Sequence, residues 1–146
     1  LLNDNKSILI TDFVHGQFGK DTSQKIKNQI ILDGHDNISI IETGVAAAGA
    51  LLYDNWEQQL PGYFLERAIP VPNNSKADRA TPLKDYIYDG HVYVDIKDNK
   101  LRKTFQDEFR AFPNGEHDDI VDATAHAFNY INQEFIGNDI FEIVEI

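Results

Sequence analysis

Three aspartates, Asp118, Asp119 and Asp122, fall within five positions of the run Phe112-Pro113-Asn114-Gly115-Glu116-His117-Asp118-Asp119-Ile120-Val121-Asp122-Ala123. On a helix, residues three or four apart are neighbours, so Asp118 and Asp119 both lie beside Asp122. Carboxylates crowded in this way repel one another, and burial raises their pKa. A hard divalent cation such as Mg²⁺ or Mn²⁺ relieves both costs, because such ions prefer oxygen ligands. Acidic residues also favour a helix start through capping and the helix dipole alone, and that plainer reading stands beside the metal one. It leaves unexplained a second acid far away in sequence. Glu42 ends the hydrophobic run Ile38-Ser39-Ile40-Ile41, and the end of a strand is where α/β folds commonly place functional groups. A solvated strand end is the alternative there. The small residues that follow, Gly44, Ala46, Ala47, Ala48 and Gly49, suit close approach by DNA or simple helix packing.

Basic residues gather in two stretches, Lys76, Arg79 and Lys84, then Lys97, Lys100, Arg102 and Lys103. They are candidates to hold backbone phosphates, which position a nucleic acid without reading its sequence; a solvated surface is the competing account. His117 is placed to orient a carboxylate or cap the helix, and His126 lies four residues after Asp122, within reach of a supporting role. For both histidines an ordinary structural role is the simpler reading. Trp56, with Leu52 and Leu60, reads as core rather than as a base-stacking platform.

These residues need elements to position them. Ser7 to Val14 reads as a strand, and Thr22 or Ser23 caps a helix to about Leu32 with Gly34 as its stop. Asn37 to Glu42 reads as a buried strand, followed by a helix through Leu60 that Pro61-Gly62 breaks. Tyr63 to Ile69 is a further strand, and Pro70 to Ser75 a loop whose last residue caps a helix from Lys76 to Tyr88 around Pro82. After the Asp89-Gly90 turn, His91 to Ile96 alternates as a strand, Leu101 to Phe112 is helical, and a last helix runs from Glu116 or His117 to about Gln133. Phe135 to Ile146 forms a strand or drapes over the body. Strands alternating with helices predict a layered α/β domain.

The 146 residues suffice for one domain with a real core. Composition, 42% hydrophobic and 25% charged, is ordinary for a globular protein. No run approaches the ~20 apolar residues of a membrane span, and the start is no signal peptide. With no cysteine, disulfides and thiolate metal sites are excluded. Absence of methionine, even at position 1, leads us to expect a chain that starts inside a longer product. A net charge of −11 counts against a plain duplex-binding module, which would be basic. It does not count against a metal-dependent nuclease, whose site concentrates carboxylates while cations supply local positive charge.

Ile41-Glu42-Thr43-Gly44, Ala48-Gly49, Ser75-Lys76, Arg79-Ala80, Gly90-His91-Val92, Phe112-Pro113-Asn114-Gly115 and His117-Asp118-Asp119-Ile120-Val121-Asp122-Ala123 occur in that order. The series resembles the C-terminal nuclease domain of phage large terminase subunits over roughly residues 6 to 132, and its last element is the most specific. The resemblance implies a ribonuclease H-like fold, a mixed sheet flanked by helices on both faces, spanning 1–146 as one domain. It implies two divalent ions, Mg²⁺ or Mn²⁺, held by acidic residues. It carries the second acidic position onto Glu42 and the third onto the helix, with Asp119 first, then Asp122 and Asp118. The expected activity is endonucleolytic cleavage of double-stranded DNA during packaging. The expected partners are the terminase ATPase domain, the small terminase and the portal, in the cytoplasm of a bacterial host. The family's first metal-binding aspartate lies on a strand preceding Ser7 to Val14, and neither Asp4 nor Asp12 sits in its context. No G-x-x-x-x-G-K-[ST] phosphate loop occurs either. The upstream strand and the ATPase domain are therefore expected to lie outside this sequence. Two rivals are a non-catalytic docking domain of the packaging motor and a ribonuclease H-like resolvase or transposase core.

Overall fold

In the computed structural model the described residues are 7–16, 19–42, 47–68 and 75–133. Their contacts divide into two compact units, one drawn from residues between 16 and 74, the other from residues up to 15 and from 75 onward.

The first unit is a strand–helix–strand crossover with an added helix. A 3-10 turn at Gly19–Asp21 leads into α1, Thr22–Asp33. Gly34 ends α1 at φ 88°, its N–H donating to the Ile30 carbonyl; this left-handed backbone costs glycine little and any other residue more. β2, Ile38–Glu42, and β3, Phe64–Ala68, pair in parallel, with Ile38 opposite Phe64 and Glu42 opposite Ala68. A parallel pair needs a crossover rather than a tight turn, and α2, Ala47–Gln59, supplies it. Ile30, Ile41, Tyr53, Trp56 and Leu60 form the buried core. Trp56, read from sequence as core, is 2% exposed. Its indole N–H donates to Ser23 Oγ at 2.8 Å, and the Tyr53 hydroxyl donates to the Leu65 carbonyl at 2.8 Å.

The second unit pairs β1, Ile8–Ile10, in parallel with β4, Val92–Val94. The expected strand from Ser7 to Val14 is shorter because its partner is short: the ladder closes with Asp95 N–H on the Ile10 carbonyl. Three helices accompany the pair. α3, Lys76–Tyr88, starts at the capping box that Ser75 suggested, with Asp78 N–H donating to Ser75 Oγ and Ser75 N–H to Asp78 Oδ2. Exposed Pro82 is accommodated within it. α4, Asn99–Ala111, begins two residues before the expected Leu101, because Asp98 Oδ1 accepts from Lys100 N–H and Leu101 N–H. α5, Asp119–Ile131, begins later than expected. Gly115 explains the delay: a Cβ there would lie 2.9 Å from Ala111 Cβ and 3.3 Å from the His117 carbonyl. The chain thus stays folded tightly back on the end of α4 before the helix begins.

Two apolar clusters fix these helices. Ala80, Leu83, Val121, Ala125 and Phe128 join α3 to α5, and Ile96, Phe105 and Ile120 join α4 to α5. Residues 43–46 and 69–74, and the tail expected to be a strand or drape, lie outside the described residues.

Candidate functional site

The acidic end of α5 is built by three helices. Asp118 is the N-cap of α5, yet its side chain caps nothing in the helix. Instead its Oδ1 accepts from Lys76 Nζ at 2.6 Å. The orphan N–H groups that every helix start presents are taken by a residue from α4. Glu108, 8% exposed, places Oε1 2.5 Å from Ile120 N and 3.1 Å from Val121 N. A buried carboxylate at a helix N-terminus is stabilised by both hydrogen bonds and dipole. Sequence reading missed Glu108. The signal was present: with Leu101, Phe105 and Phe112 it falls at the i, i+4, i+7, i+11 positions of one helix face, so a polar residue interrupts a core stripe.

Asp122 is held differently. Arg79 Nε lies 3.1 Å from its Oδ1, and Arg79 Nη2 lies 2.8 Å and 2.9 Å from its two oxygens. Both side chains are only 13% exposed. The Arg79 carbonyl accepts from Asn129 Nδ2 at 3.0 Å, so α3 and α5 are also tied farther along. His126 Nε2 is 3.9 Å from Asp122 Oδ1.

Asp119 is the most open of the three, 68% exposed. Lys76 Nζ stands 3.8 Å and His15 Nε2 3.9 Å from its oxygens. Lys76 Nζ also stands 3.9 Å from Asp122 Oδ2, so one ammonium faces all three aspartates. The hydrogen bond to Asp118 holds that ammonium above the usual lysine pKa; burial opposes this, and the charges of Asp118, Asp122 and Asp119 add to it.

Of the residues expected to meet DNA, Lys76 and Arg79 thus turn onto the α5 carboxylates. Lys84 is exposed on α3. On α4, Arg102 donates to Asn99 Oδ1 and to the Ile96 carbonyl, and Lys103 pairs with Asp107. Lys97 pairs with Asp95 just before that helix; Lys100 is exposed. Glu42 closes β2, and its side chain lies outside the described residues. His117 is exposed.

The donor set at α5 suits a hard divalent ion in type: carboxylate oxygens around a position where a cation already stands. It does not suit one in its present spacing. Among the described residues no three histidine, aspartate or glutamate side chains are gathered closely enough to hold a metal. Oxygens at 2.6–3.9 Å fit an ammonium, whereas metal–oxygen bonds are about 2.0–2.6 Å. The carboxylates would have to draw in and the ammonium leave.

A family of known proteins matches this chain. The profile of the terminase RNaseH-like domain covers residues 17–131. No curated protein and no solved structure gave a match.

Proposed function

Since the chain belongs to the terminase RNaseH-like domain family, we propose that it is the DNA-cleaving domain of a phage packaging terminase, a metal-dependent endonuclease acting on double-stranded DNA. Membership supports the α/β fold and a nuclease-like role in packaging. The observation that carries the finer reading is the convergence of Asp118, Asp119 and Asp122 on one cation position at the start of α5. Structural capping alone does not account for it, because Glu108 already caps that helix.

In this reading Asp119 and Asp118 hold Mg²⁺ or Mn²⁺. Asp122, locked by Arg79, keeps the first turn of α5 in place and adds negative charge behind them. Two ions bound there would activate the attacking water and stabilise the leaving 3′ oxygen. Lys84, Lys100, Arg102 and Lys103 are proposed to hold backbone phosphates, with Lys76 and Arg79 closest to the cleavage position. Sequence preference is then slight. The partners proposed are the terminase ATPase domain, the small terminase and the portal, in the bacterial cytoplasm, with residues 1–146 acting as one nuclease domain.

One observation favours a second reading. Asp118 and Asp122 are already neutralised by Lys76 and Arg79, as in a non-catalytic docking domain whose acids serve only to join α3 to α5. A crystal soaked in Mn²⁺ separates the two. The nuclease reading expects anomalous density bonded to Asp118 and Asp119. Absence of density at α5 supports the docking domain.

A further inference from the structure

Between α3 and the end of α4 lies an open apolar groove of about 330 Å³. Ile87 and Tyr88 line it from α3, Phe109 and Phe112 from the end of α4. Ile87 is 41% and Tyr88 90% exposed, so large apolar side chains face water there. Two cations, Lys84 and Arg110, also line the groove; both are exposed, and neither pairs with an acid among the described residues. Exposed apolar surface edged by polar groups marks an interaction site. Pockets that hold ligands begin at about 300 Å³, so this one takes a few side chains rather than a large body.

We propose that this groove seats residues 134–146 of the same chain, the segment that follows α5. The segment has seven large apolar residues, four acids and no lysine or arginine, and its last seven residues read Ile140-Phe141-Glu142-Ile143-Val144-Glu145-Ile146. Its apolar side chains leave water on entering the groove, and the acids interspersed among them meet Lys84 and Arg110. A basic segment would be repelled by the same two cations. Position agrees with charge. Lys76 meets Asp118 where α3 and α5 begin, and Tyr86 meets Phe128 toward their ends, ring centroids 5.0 Å apart. The two helices therefore run the same way, and α5 ends near the end of α3, where Ile87 and Tyr88 line the groove. Residue 133 lies five residues beyond Phe128, about 8 Å at 1.5 Å per helical residue. The thirteen residues that follow reach about 40 Å when extended, enough to enter the groove. The seat is independent of the metal reading above.

Paramagnetic broadening in nuclear magnetic resonance of the whole chain tests this. The sequence has no cysteine, so a nitroxide attached through Val144→Cys, or through Glu145→Cys as a second position, reports where the segment lies. The Ile87 and Val121 methyl signals should broaden strongly and return when the nitroxide is reduced. Reversing both groove cations, Lys84→Glu with Arg110→Glu, should cut the ratio of seated to free segment roughly tenfold, at about threefold for each exposed ion pair, and restore most of the signal. Unbroadened methyl signals with both labels overturn the proposal. Broadening that arises only between nitroxide-bearing chains and isotope-labelled chains without nitroxide overturns it too, because the occupant is then a second copy. Undiminished broadening after charge reversal removes the charge match that selects this segment, and the proposal falls with it.

Discussion

Around Trp56, helices and strands are joined by an apolar cluster, within which the indole N–H donates to Ser23 and the Tyr53 hydroxyl to the Leu65 carbonyl. At the start of α5 the joints are charged: Glu108 on backbone N–H groups, Arg79 on Asp122, Lys76 on Asp118. Burial of apolar surface is insensitive to position within an ångström or so and holds a fold generally. Charge-assisted hydrogen bonds fix direction as well as distance. The contrast separates a unit whose residues serve the fold from one in which the fold is arranged to keep carboxylates in stated directions.

That contrast is breakable. The largest stability loss should follow Trp56→Ala, about 3–5 kcal/mol for a buried aromatic, read by chemical denaturation. Hydrogen exchange should show protection lost first in β2 and β3. A loss under about 1 kcal/mol would mean that this core carries little of the fold. In the charged unit, Arg79→Ala should cost roughly 3 kcal/mol, because Asp122 is left 13% exposed without its forked partner. Arg79→Lys should recover only part of this although charge is kept; full recovery would reduce the pair to simple charge balance. Glu108→Ala should cost about 2 kcal/mol by leaving two helix-start N–H groups unmatched, whereas Glu108→Gln retains an acceptor and should lose about 1 kcal/mol or less. Equal losses would show that the negative charge, not the two hydrogen bonds, is what α5 requires.

The smallest effect concerns pH. Burial, with Glu57 nearby, pushes the Tyr53 phenol up to about 12 from its ordinary 10.0. A group whose folded pKa is raised contributes fully below its unfolded value, and that contribution is lost as pH climbs toward the folded one. Stability should therefore fall between about pH 10 and 12, with Lys76 acting in the same direction. Tyr53→Phe should cost about 1 kcal/mol at neutral pH for its hydrogen bond and make the alkaline decline shallower. An unchanged decline would mean that other groups set it.

The helices were legible because their signals are local. Ser75 and Gly34 each act within one turn, so sequence alone places their helices to within a few residues; Asp98, an equally local signal, went unread, and α4 starts two residues before the expected Leu101. The strands were legible as elements, β2 and β3 to within a residue at each end, whereas β1 and β4 are shorter than expected, since a strand ends where its partner ends and these two meet from more than 80 residues apart. The acids of α5 stood out as a cluster for the same local reason. Their partners did not: Lys76 and Arg79 read as exposed phosphate binders because nothing near them in sequence reveals that α3 lies against α5. Glu108 was missed because its ligands are backbone N–H groups, which every residue possesses.

A plasmid-cutting assay tests the central claim most directly. With Mn²⁺ or Mg²⁺, a longer chain that adds the family's first metal-binding aspartate should convert supercoiled plasmid to nicked and linear forms, EDTA should stop it, and residues 1–146 alone should cut weakly or not at all. Asp119→Asn should lower the rate more than about a hundredfold, beyond the loss typical of a residue that only supports a metal ligand. Its metal-free fold should be as stable or slightly more so, since a repelling charge is gone. Cleavage by Asp119→Asn of that longer chain at the unsubstituted rate, or a folded longer chain that cuts no DNA with either ion, would contradict the account.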